Sequence, residues 1–208
     1  MKLASKLILS GVAMTLAFTG PTASAVVVYD FDVLVTGAMP QGTSPWATLT
    51  IQNSGADTVN MTLTHNAGSA QGQFISKLLL NIDPFATGLS IIPGSPKIVG
   101  WGYGVDQFTD ASGKFDMYVN FQVSNQNGGA DRLKPGESVS WQVTGNGLDE
   151  NHFVALSQGN LNVFGLLHIQ GIPPDGGSGK VAPVPEPGTL TAIAVGLAAL
   201  ASRRLKRK

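Results

Sequence analysis

A chain of 208 residues with no cysteine excludes a disulfide-stapled fold, a thiolate metal centre and a cysteine nucleophile. Its formal charge of zero hides a division: seven of the thirteen basic residues lie at the two ends, leaving six basic against thirteen acidic residues over Val26–Pro187. A middle region near −7 without a basic patch repels phosphate backbones, which argues against a nucleic-acid partner.

The first 25 residues read as a secretory signal peptide. Lys2 and Lys6 form a basic start, Leu7 to Phe18 an apolar stretch, and Ala23-Ser24-Ala25 a small-residue cleavage site. Cleavage after Ala25, with Ala23 and Ala25 as the recognised residues, makes Val26 the mature start and implies the secretion machinery as a partner. The apolar run is too short for a first membrane helix.

From Val26 to Gly171 the pattern is that of strands. Val59, Met61 and Leu63 alternate with Asn60 and Thr62, and Phe115, Met117, Val119, Phe121 and Val123 alternate with Asp116, Tyr118, Asn120 and Gln122. Weaker strand readings cover 26–36, 46–52, 73–82, 97–103, 138–144 and 161–170, separated by breakers such as Asn53-Ser54-Gly55, Pro93-Gly94-Ser95-Pro96 and Gly145-Asn146-Gly147. Lys134-Pro135-Gly136-Glu137 has the residue order of a type II turn, so Ser138 opens a strand whose Val139, Trp141 and Val143 face inward. Asp149 and Glu150, followed by Phe153 and Leu156, predict a short helix within 148–156. The expected fold is all-β: one antiparallel β-sandwich over 26–171, jelly-roll or immunoglobulin-like, with that short helix.

Residues 172–184, Ile172-Pro173-Pro174-Asp175-Gly176-Gly177-Ser178-Gly179-Lys180 and onward, read as a glycine and proline linker. Everything after Lys180 is then expected to be removable without loss of stability. Over 185–208 come Pro185-Glu186-Pro187, an uncharged run from Leu190 to Ala201, and Arg203, Arg204, Lys206, Arg207 and Lys208. The prolines stop a helix from running into the soluble part. The apolar run is a short transmembrane helix, and the basic end belongs on the cytoplasmic side, which leaves the domain outside.

This tail resembles the PEP-CTERM sorting signal of exported bacterial proteins. The resemblance covers about twenty-five residues and implies that a membrane enzyme of the exosortase type processes the chain near Pro185, Glu186 and Pro187, with Arg203 and Arg204 completing the motif. It implies a transient inner-membrane anchor followed by delivery to the cell surface or extracellular matrix. Residues 115–180 also resemble ectodomains found ahead of such tails, which have no settled activity.

Within the domain, chemical motifs are sparse. Gly179-Lys180 lacks the following Ser or Thr of a phosphate loop, and no Gly-x-Ser-x-Gly elbow occurs. His65, His152 and His168 have no metal-ligand spacing. Asp30 and Asp32 stand two apart on one strand at a separation suited to glycosidase acids, and Asp106, Asp110 and Asp116 offer calcium ligands; a solvated strand face and a solvated acidic loop are the favoured readings of these two patterns. Trp101 and Tyr103, flanked by glycines, are the candidate glycan contacts, because an exposed aromatic ring can stack on a sugar. The expected function is a structural or adhesive surface or matrix protein, not an enzyme and without cofactor or metal. The alternatives are a module binding extracellular polysaccharide and a polysaccharide-processing enzyme.

Overall fold

The computed structural model describes residues 26–183, which form an all-β domain. Its strands are β1 (Val26–Gly37), β2 (Ala47–Gly55), β3 (Thr58–His65), β4 (Phe74–Leu80), β5 (Ser90–Pro93), β6 (Ile98–Asp110), β7 (Gly113–Phe121), β8 (Ser138–Thr144), β9 (Gln158–Gly159), β10 (Gly165–Ile172) and β11 (Gly177–Pro183). They pair antiparallel in one continuous sheet ordered β5-β8-β3-β2-β1-β11-β10-β4-β7-β6, with β9 added beside β7. Both ends of that sheet line one core, because β2, β3 and β8 contribute Ile51, Met61 and Trp141 to the same apolar cluster as Leu78, Val119 and Ile169 of β4, β7 and β10. Phe121 meets Trp141 edge to face across it, with centroids 6.3 Å apart.

The alternation rule holds where one face is buried. Val139, Trp141 and Val143 are 0–2% exposed, while Ser138 and Ser140 lie at the surface. The turn before them has Gly136 at φ +86° and closes with Glu137 N–H donating to the Lys134 carbonyl at 3.1 Å.

Two departures from the sequence reading have clear causes. The stretch expected to be a linker, 172–184, is strand as far as Pro183 wherever it is not the tight turn Pro173–Gly176. Ile172 ends β10, and β11 pairs with β10 on one side and β1 on the other. Its glycines serve close packing: a Cβ on Gly179 would stand 2.1 Å from the Ala38 carbonyl oxygen. The domain therefore ends no earlier than Pro183, not at Gly171. The expected helix within 148–156 is a single 3₁₀ turn, Glu150–Phe153, capped by Asp149, which accepts from Asn151 N–H at 3.0 Å.

The hairpin of β6 and β7 runs past its expected end and adds a second, smaller core. Their register breaks between Tyr103 and Phe108. Beyond the break, Phe108, Ala111 and Phe115 pack on Leu79 and Leu166, which belong to the opposite face of β4 and β10. Asp116 anchors the break by accepting Ile82 N–H at 2.9 Å and Asp106 N–H at 2.6 Å. Lys180 of β11 pairs with Asp110 near the hairpin tip.

No helix among the described residues is long and apolar enough to cross a membrane. The transmembrane segment read in the tail lies outside them.

Candidate functional site

Three places bear on function: the exit of the chain, the outer edge of the sheet at β6, and the polar groups in and around the core. At the exit, β11 runs antiparallel to β1, with Pro183 opposite Phe31. The C-terminal end of β11 thus lies toward the N-terminal end of β1, and Val26 and Pro183 leave the domain in the same direction. Pro185 follows two residues after a buried strand end, since Val181 is 0% and Ala182 2% exposed. Pro185, Glu186, Pro187, Arg203 and Arg204, like Ala23 and Ala25, lie outside the described residues.

Trp101 and Tyr103 sit on β6, the terminal strand. They oppose Val119 and Met117 of β7, so they point to the core side of the sheet. Among the described residues nothing covers that last strand fully, and the two rings are 40% and 41% exposed. Val99 and Val105 continue the row. Sequence reasoning found the two aromatics but attributed their exposure to the glycines. The structure attributes it to position at the sheet edge, while Gly102 is required because a Cβ there would come within 2.6 Å of the Tyr118 ring. The two valines were legible as the same alternating set and were missed.

The acidic groups separate. Asp30 is half-buried and accepts from Thr48 Oγ1 at 2.7 Å, Asp32 is exposed, and a register shift falls between Phe31 and Val33. Asp116 holds two backbone amides and Asp110 holds Lys180, while Asp106 has φ +52° at the register break. A cavity of about 730 Å³ lies beside that break, walled by Ile82, Phe85, Val105, Leu156 and Phe164 with Asp83, Asp106 and Asp116. Among the described residues no group of three or more His, Asp or Glu is placed to hold a metal ion.

The three histidines stand apart from one another in the fold. His152 caps its own turn with Nδ1 2.8 Å from Asp149, which holds that carboxyl below its usual range. His168, on β10, is held below the ordinary histidine value by burial and by the nearby Lys180. His65 is fully buried, with Nδ1 3.0 Å from the Leu133 carbonyl. A carbonyl only accepts, so Nδ1 carries the proton, and Nε2 is left buried without a partner. Burial therefore lowers its pKa.

The folded state resists the proton that the unfolded chain takes up near pH 6.5, so stability is full above that value and falls as the pH drops below it. His65→Gln should flatten the melting temperature against pH between about 7.5 and 5.5 relative to the wild type. An unchanged slope contradicts the assignment.

No curated protein and no solved structure matches the chain. A family model described as the PEP-CTERM protein-sorting motif matches residues 183–208. That motif implies an exported protein and processing by an exosortase-type enzyme. The chain carries a PEP-CTERM protein-sorting motif, and the motif begins at the residue where the last strand of its folded domain ends.

Proposed function

We propose that this is a non-enzymatic surface or extracellular-matrix protein whose folded domain is exported behind a cleaved signal peptide. The tail then holds it for a time in the inner membrane, domain outward, until the exosortase-type enzyme acts on it. The observation that carries this reading is the junction itself. A membrane-compatible tail whose motif starts where the last strand of the described domain ends supports a sorting role. The acidic surface and the scattered histidines and aspartates favour a structural or adhesive role over catalysis.

We read the domain as a jelly-roll type of sandwich. The connections from β3 to β4, β5 to β6 and β7 to β8 each pass between the two halves of the sheet, so β3-β8-β5 mirrors β4-β7-β6. That nested wrapping supports the jelly-roll form over the immunoglobulin one.

Replacing Pro185, Glu186 and Pro187 together by alanine should block processing. Immunoblots of inner-membrane and medium fractions then show the larger form retained in the membrane. Release of the variant at wild-type size and amount would leave the tail as a plain anchor and overturn the exosortase reading.

A second reading is favoured by one observation, the exposed row Val99, Trp101, Tyr103 and Val105, which suits stacking on extracellular polysaccharide. Trp101→Ala with Tyr103→Ala should abolish retention on the organism's own polysaccharide while the domain stays folded, as a cooperative thermal transition of the double variant would show. Equal retention of the double variant removes this reading.

A further inference from the structure

At the end of the sheet away from the exit, β4 begins, β10 ends and β11 begins. There a cavity of about 560 Å³ is lined by Phe74, Arg132, Gln170, Ser178 and the backbone of Gly171, Gly176 and Gly177. Its lining holds a cation and no carboxylate, in contrast to the acidic cavity beside Asp116. Arg132 is the only arginine among the described residues. Its guanidinium is already oriented: it stacks 4.1 Å above the Phe74 ring, and Nε and Nη2 both donate to the Val123 carbonyl at 3.0 and 2.7 Å. The Lys97 ammonium donates to the carbonyl of Arg132 at 2.8 Å and pairs with Glu137 at 3.0 Å, so it fixes the Arg132 backbone while its own charge is balanced, and Asp131 next in the chain is exposed to solvent.

We infer that this cavity is a binding site for a carboxylate-bearing sugar of the hexuronate class. Among the described residues Arg132 pairs with no carboxylate, so its remaining N–H groups keep their capacity for a bidentate or single charge-assisted contact. The Gln170 amide and the Ser178 hydroxyl line the same space and bond to no other protein group among the described residues, which suits them to the hydroxyls of a sugar ring. Gly176 has open space around its Cβ direction, so the backbone there admits close approach by a ligand. Fixing the guanidinium in advance lowers the ordering cost of binding. The inference does not depend on how the tail is processed or on the Trp101 and Tyr103 row.

The test uses the full chain in detergent, titrated with sodium D-glucuronate, D-glucose and sodium acetate while the Arg132 Nε–H resonance is followed. Glucuronate should give a saturable shift with an affinity about tenfold above both glucose and acetate, as a charge-assisted contact added to hydroxyl recognition predicts. Arg132→Gln should remove that preference. Because Arg132 also supports Val123 and Phe74, Gln170→Ala and Ser178→Ala serve as variants that leave the guanidinium in place, and each should weaken glucuronate binding severalfold at unchanged melting temperature. Three results overturn the inference: no saturable shift, acetate binding as well as glucuronate, which marks a bare anion site, or glucuronate binding that the Gln170 and Ser178 variants leave intact.

Discussion

A chain ended at Gly176 will not fold, whereas a chain ended at Pro183 will keep the melting temperature of the full-length domain. In the described sheet, β11 is the sole hydrogen-bonded link between the β5-β8-β3-β2-β1 half and the β10-β4-β7-β6 half. Without it, β1 and β10 present two open edges at the centre of the sheet, and unpaired central edges are templates for aggregation. A chain ended at Lys180 is the informative middle case. It keeps the pairs formed by Gly179 and Lys180 but loses Val181 and Ala182, both buried against β1 and β10. Burial of one valine and a smaller neighbour is worth about 2 to 4 kcal/mol, so this truncation should be clearly destabilised in urea. A Lys180 truncation as stable as the full chain would mean that β11 is not closing the sheet.

Trp141→Ala should cost about 3 to 5 kcal/mol, the range of large-to-small changes at a buried aromatic. Trp141 is 2% exposed, pairs with Met61 on β3 and Pro93 on β5, and touches Phe121 from the opposite half. Its loss therefore opens a void where the two ends of the sheet meet. Gln142→Ala, one residue on and facing out, should stay within about 0.5 kcal/mol. Denaturant titrations of both variants check the pair of values, and similar losses at the two positions would mean that the register of β8 is inverted.

The sequence made most strands visible because most are buried on one face. Val59, Met61 and Leu63, or Val139, Trp141 and Val143, can alternate only if one side meets a core. It failed where glycine had a packing role. Gly177-Ser178-Gly179 looks like loose linker, yet Gly179 lies against the Ala38 carbonyl in the middle of the sheet. The strand read over 97–103 was expected to stop before Gly104, yet β6 continues to Asp110 because its register breaks after Tyr103 and resumes at Phe108. Periodicity carries no information about such close approaches, which depend on a strand distant in sequence. The candidate site divides in the same way. Trp101 and Tyr103 were visible as aromatics among glycines, and their edge position was not. The cavity at Arg132 joins residues 74, 132, 170 and 178, a set that no local motif announces.

The central claim is that the folded domain runs without a linker into the sorting motif, so that processing leaves β11 on the domain. The intact mass of the protein released into the medium tests it most directly. The account predicts a chain that begins at Val26 and ends beyond Pro183, before the apolar run at Leu190. A released, folded form ending anywhere from Ile172 to Ala182 would contradict it.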